Sequence, residues 1–175
     1  MFKNTIFRRM TALVLTLALA AAAALPGLAV YPMPIQTASE TEAVYLFNAD
    51  TGKTILNQNA GQQQYVASLT KLMTALLLLE SGKDLNGEVT VPTALTQEFR
   101  DIQNANGTTM GLRIGETVRR IDLLNAMLIV SANDAASVIA YDVGGSMLDF
   151  VKQMNARAQE LGCTGTNFTC AHGLF

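Results

Sequence analysis

The chain has 175 residues, half of them hydrophobic and 15% charged, with a formal net charge of −2. Such a length suits one domain with a real core. Thirteen glycines and four prolines exclude a collagen-like or low-complexity chain; the apolar content excludes a disordered one, and the charge leaves no basic field to hold nucleic acid.

In chain order, the apolar excess is concentrated at the start. Twenty of the first 29 residues are apolar and none is acidic. Lys3, Arg8 and Arg9 form a positive n-region, followed by a 16-residue run, Met10 to Leu25, interrupted only by Thr11 and Thr16. Pro26 and Gly27 break it, and Gly27 and Ala29 are the small residues at −3 and −1 for cleavage after Ala29. This is the grammar of a secretory signal peptide over residues 1–29. At about 1.5 Å per residue the run spans roughly 24 Å, short of the roughly 30 Å hydrocarbon core, which argues against an anchor. Residues 30–175 carry nine basic and 14 acidic side chains, as suits a soluble protein exported to the periplasmic or extracytoplasmic face of the membrane. Residues 30–42, with Pro32 and Pro34, read as a linker.

Ala43 to Phe47 is a short apolar run with β-formers, Asn48 to Gly52 supplies turn chemistry, and Lys53 to Leu56 returns. The pattern predicts a hairpin, apolar on both faces and therefore covered on both sides. Ser68 to Glu80 predicts a helix capped by Ser68; leucines surround most of it, which places it in the middle of a domain. A weaker helix is expected over 92–101, a glycine-bearing loop over 104–115, and helices over 121–130 and 134–143 separated by a break at Ser131-Ala132-Asn133. Ser146 to Leu161 is the clearest amphipathic helix, with Ser146 and Asp149 in a capping-box pattern and Gly162 at its end. A strand is expected at 167–170. Cys163 and Cys170 could form a disulfide after export but do not prove one. With His172 they offer at most three ligands at no recognised zinc spacing, so no metal or cofactor is expected.

Two places could carry chemistry. In Ser68-Leu69-Thr70-Lys71 the serine and lysine are i and i+3, on one face of a helix. A desolvated amine can lose its charge and accept the serine proton, which a hydroxyl needs to become a nucleophile. A capping serine followed by a surface lysine has the same spacing, but Lys71 lies in a helix with almost no polar face. In Ser131-Ala132-Asn133 a hydroxyl and a carboxamide sit between two apolar helices. They read either as an ordinary cap or as a proton relay and a substrate-orienting amide.

Val66-Ala-Ser-Leu-Thr-Lys-Leu-Met-Thr74, Asp122-Leu-Leu-Asn-Ala-Met-Leu-Ile-Val-Ser-Ala-Asn-Asp-Ala135, Met154-Asn-Ala-Arg-Ala158, Leu161-Gly162 and His172-Gly-Leu174 occur in this order. Together they resemble the serine-type D-Ala-D-Ala carboxypeptidases, the low-molecular-mass penicillin-binding proteins of peptidase family S11. The resemblance implies an α/β (α+β) fold of the serine DD-peptidase/β-lactamase type, an antiparallel sheet flanked by helices with a helical subdomain, over residues 43–175. It implies Ser68 as the acylated nucleophile, Lys71 as its general base, Ser131 as proton relay and Asn133 as a substrate-orienting group. The implied partners are a peptidoglycan stem peptide ending in D-Ala-D-Ala and, as covalent inhibitors, β-lactams; His172-Gly-Leu is assigned a structural role.

Ala132 stands where many members have Gly, and Cys170-Ala171 replaces the Asn-Pro common before His-Gly-Leu. The family's third motif, Lys-Thr-Gly or Lys-Ser-Gly, has no counterpart between Ser131 and Phe175. The sequence expectation is thus the N-terminal part of the domain, without the later sheet strands and inactive or nearly so in this form; no membrane anchor is visible in it. A serine β-lactamase-like hydrolase and a non-catalytic cell-wall-binding remnant are the alternatives.

Overall fold

The computed structural model describes residues 41–175. The signal peptide and residues 30–40 of the linker lie outside the described residues. The described residues divide into two units, residues 41–60 and 61–175.

In the first unit, β1 (Val44–Asn48) and β2 (Lys53–Gln58) form the predicted antiparallel hairpin. Asn48 makes its turn: the side-chain Oδ1 accepts from Thr51 N–H at 2.9 Å and the carbonyl from Gly52 N–H at 3.0 Å. A bulge between Leu46 and Phe47 shifts the register. The hairpin is not covered on both sides: Tyr45, Phe47 and Ile55 are each about half exposed.

In the second unit a 3-10 turn, Ala67–Leu69, runs directly into α1 (Thr70–Glu80). β3 (Glu88–Thr90) pairs antiparallel with β4 (Thr117–Arg119), and between them lies α2 (Thr96–Asn104), entered through a second 3-10 turn. Then come α3 (Arg120–Ile129), α4 (Asn133–Gly144) and α5 (Met147–Glu160). Ser146 caps α5 by accepting from Asp149 N–H at 3.1 Å, as its sequence predicts.

The middle of this unit belongs to α4, not to α1. Every residue from Asn133 to Ala140 is buried, because Ala135, Ala136, Ser137 and Ala140 are small enough for neighbouring helices to approach closely. Leu78, Val91, Leu95, Leu123, Met127, Val138 and Ile139 build the main cluster, and Phe150, Met154 and Ala171 pack a second against Ala140. α1 buries Thr70, Lys71, Thr74, Ala75 and Leu78 and leaves Leu72 and Leu79 exposed, as is Leu69 in the turn before it. The leucine count misleads here; the small and polar side is the one that packs. Ser68 lies in the turn and makes no side-chain cap.

Residues 167–170 are not a strand. Asn155 on α5 takes the place of a strand partner: its Oδ1 accepts from Phe168 N–H at 2.7 Å and its Nδ2 donates to Phe168 O at 2.9 Å. Among the described residues, no helix is long and apolar enough to cross a membrane.

Candidate active site

The helical spacing of Ser68 and Lys71 brings the lysine Nζ to 3.2 Å from Ser68 Oγ. Lys71 is only 2% exposed. Its Nζ also donates to Asn133 Oδ1 at 2.8 Å and to the His172 carbonyl at 2.9 Å. A carboxamide oxygen and a peptide carbonyl can only accept. They fix two N–H bonds of the amine and leave its third position facing Ser68. In the neutral amine that position is the lone pair, aimed at the hydroxyl it would deprotonate. Burial lowers the Lys71 pKa, against a smaller opposing pull from charge on Cys170, so the amine loses its proton more readily than a free lysine.

The break between α3 and α4 supplies the second half. Ser131 has φ +60° and Ala67 has φ +45°, a left-handed backbone unusual for residues with a side chain. Strain of this kind persists where the surroundings impose it, and here it sits beside both serines. Ser131 Oγ donates to Ser68 Oγ at 2.9 Å. Asn133 is buried, and its Nδ2 donates to Thr108 O at 3.0 Å; both ends of its carboxamide are thus engaged within the protein. Ser68, Lys71 and Ser131 open onto a cleft of about 340 Å³ walled by Val66, Leu69, Leu72, Met127 and Leu128.

Other residues hold this arrangement; sequence reasoning gave His172-Gly173-Leu174 a structural role but did not single out Asp134, Thr74 or Glu98. Asp134 is buried and accepts from the N–H groups of Met110, Gly111 and Leu112, each at 3.0 Å, so it clamps the 104–115 loop on the start of α4. Thr74 Oγ1 donates to Ala171 O at 2.6 Å, one residue before the carbonyl that receives Lys71. Gly173 lies at φ +74°, and a Cβ there would run into the Ala67 carbonyl; only glycine lets this turn approach the Ala67–Leu69 turn. His172 is fully buried, with Nε2 2.9 Å from Glu98 Oε1. The signal for Glu98 was present: it stands three residues after Leu95 and four before Ile102, on a face otherwise buried. Among the described residues, no group of three or more His, Cys, Asp or Glu is placed to hold a metal ion.

The mixed helix-and-sheet fold holds a serine hydrogen-bonded to a buried lysine and to a second serine, and its structural neighbours are DD-peptidases of the serine peptidase/β-lactamase-like fold. Comparison with known proteins gives the family. The chain matches peptidase S11, D-alanyl-D-alanine carboxypeptidase, over residues 32–175, and it belongs to that family. It is 33% identical over 142 residues to the D-alanyl-D-alanine carboxypeptidase DacF of Bacillus subtilis, covering 79% of this chain and 35% of the relative. It is 33% identical over 142 residues to the D-alanyl-D-alanine endopeptidase of Pseudomonas aeruginosa, covering 81% and 44%. Among solved structures, the Streptomyces K15 DD-transpeptidase superposes with TM-score 0.67 at 29% identity, covering 74% of this chain and 51% of that one. Penicillin-binding protein 5 of Haemophilus influenzae gives 0.60 at 32% identity, covering 70% and 36%. The chain therefore spans between about a third and a half of the length of these relatives.

Proposed function

We propose that the protein is a serine-type D-Ala-D-Ala carboxypeptidase acting on peptidoglycan stem peptides through an acyl-enzyme. The observation that carries this is the triangle at Ser68, whose Oγ receives both Lys71 Nζ and Ser131 Oγ. Neutral Lys71 takes the Ser68 proton as Oγ attacks the carbonyl carbon of the penultimate D-Ala. Ser131 passes a proton to the departing D-Ala nitrogen, and water then hydrolyses the ester on Ser68. Asn133 holds Lys71 in line through Oδ1; for it also to orient substrate, Nδ2 has to leave Thr108. A β-lactam acylates the same serine. The endopeptidase among the relatives favours one further reading, in which the same attack releases a longer peptide amine. The signal-like pattern of residues 1–29 supports export to the face of the membrane where such a substrate lies.

The test uses protein expressed from its complete reading frame. A fluorescent penicillin should label it one to one and a peptide ending in D-Ala-D-Ala should release D-Ala. Ser68→Ala should abolish both, and Lys71→Ala should slow acylation by about 10²–10⁴. Wild-type protein that neither traps penicillin nor releases D-Ala or a peptide amine would sink the reading.

A further inference from the structure

Lys71 takes part of its aim from a backbone oxygen, and a buried polar cluster stands behind that oxygen. The His172 carbonyl that receives Lys71 Nζ at 2.9 Å belongs to a turn held by three helices. On α1, Thr74 anchors the preceding peptide through Ala171 O. Glu98 of α2 and Ser137 of α4 anchor the His172 ring: Glu98 Oε1 lies 2.9 Å from Nε2 and accepts from Ser137 Oγ at 3.2 Å. Leu174 N–H donates to His172 Nδ1 at 3.0 Å. Nδ1 is therefore the bare ring nitrogen, and the ring hydrogen sits on Nε2 and is donated to Glu98. His172 and Ser137 are fully buried, and a buried donor that loses its acceptor is costly.

We infer that Glu98 is a positioning residue for the acylation of Ser68: by holding the His172 ring it holds the carbonyl that orients Lys71, and so sets the rate of acyl transfer without touching the ligand. The inference rests on the reaction proposed above. With a β-lactam, Ser68 Oγ bonds to the lactam carbonyl carbon and the lactam C–N bond breaks. Lys71 takes the hydroxyl proton, and the lactam nitrogen gains one in return.

The backbone by itself constrains this carbonyl weakly. It shares a peptide with Gly173, which has no Cβ and lies at φ +74°, so the peptide plane can rotate at little steric cost. The N–H of that peptide is directed at the Cys170 sulfur at 3.1 Å, a weak acceptor. The bond from the ring to a carboxylate is charge-assisted and stronger. That bond, against burial, holds the Glu98 carboxyl below its usual range, so Glu98 stays an acceptor. Misplacing a catalytic group by about 1 Å can cost about 10² in rate. Neither Glu98 nor His172 lines the cleft at Ser68, so losing the anchor should slow the step and spare ligand affinity.

The experiment follows acylation by a fluorescent penicillin on protein expressed from its complete reading frame. Varying the penicillin concentration separates the limiting rate from the half-saturating concentration. Glu98→Gln keeps an acceptor oxygen in place without the charge. Glu98→Asp keeps the charge and draws the oxygens back by one C–C bond, about 1.5 Å. Expected are a limiting rate near wild type in Glu98→Gln, losses of about 10- to 100-fold in Glu98→Asp and Glu98→Ala, and an unchanged half-saturating concentration throughout. Rates are read per labelled molecule, so a partly folded variant still reports. If Glu98→Ala does not fold, Glu98→Gln against Glu98→Asp decides. Variants that lower the labelled fraction but keep the wild-type limiting rate would make Glu98 merely structural and overturn the inference. So would a Glu98→Gln rate at or below that of Glu98→Asp, or a loss carried by the half-saturating concentration. Wild-type protein that takes no label would overturn the proposed reaction itself, and this inference with it.

Discussion

Lys71 is a charge carrier almost wholly withdrawn from water, and everything around it bears on which protonation state survives. A buried ammonium is costly unless its hydrogens are taken up, and three oxygens take them here. The neutral form keeps two of those bonds and gains a lone pair aimed at Ser68, so the site is poised between the two states. Because burial lowers the Lys71 pKa, the neutral fraction rises with pH at lower values than for a free lysine near 10.4. Acylation of Ser68 by penicillin should therefore climb with pH and level off below that value in stopped-flow measurements; a profile still rising through pH 10 would assign the base elsewhere. Asp134 acts one residue beyond the site. Asp134→Ala leaves three loop N–H groups without their carboxylate, and a stability loss of at least about 3 kcal/mol is expected from the urea midpoint. In the sequence this acid reads as an ordinary first-turn helix residue, and only the folded loop reveals its three partners.

At the level of elements, hydrophobic period and turn chemistry made the hairpin, α3, α4 and α5 legible, because each is long or strongly punctuated. β3 and β4 were not legible. Glu88-Val-Thr90 and Thr117-Val-Arg119 each offer one inward side chain, too few to set a period. Residues 167–170 have a strand's composition, but Asn155 satisfies their backbone from the side. The contact that fixes α3 against α4 is likewise non-local. Arg120 Nε and Nη2 donate to Asp142 Oδ2 and Oδ1 at 2.7 and 2.9 Å, and both side chains are largely withdrawn from water. This pair spans the helices that meet at Ser131 and Asn133. Burial disfavours the Asp142 carboxylate, yet Arg120 and Lys83 outweigh it and hold the carboxyl below its usual range. A depressed carboxyl contributes stability that is complete above the unfolded value near 3.9 and is lost as pH falls through the folded one. Asp142→Asn should cost about 1.5–3 kcal/mol near neutral pH, and the gap to wild type should close below about pH 4. Equal gaps at pH 3 and pH 7 in urea melts would remove Asp142 from the acid response.

Across the whole molecule the meeting of the two Ser-bearing motifs was more legible than the distribution of the core. Ser68, Lys71, Ser131 and Asn133 are brought together, while the faces expected to be covered are open in both units. In residues 41–60, Tyr45, Leu46, Phe47 and Ile55 are 42–57% exposed; in residues 61–175, Leu69 and Leu72 of the segment that carries Ser68 and Leu128, Ile129 and Val130 at the end of α3 are 48–79% exposed. Single exposed apolar residues are ordinary, but a contiguous group is either a binding surface or an aggregation hazard. A lone two-stranded hairpin is also marginal in water without something on its apolar face. The 175-residue chain should accordingly bind the hydrophobic dye ANS and self-associate as its concentration rises in light scattering. Phe47→Lys should reduce this through the first unit and Ile129→Lys through the second. Neither side chain belongs to the cores that hold its unit together, so melting temperatures should stay close to wild type. A monodisperse chain with no dye signal would mean that these faces are covered in solution, and the hairpin and α3 would then be the first places to look for what covers them.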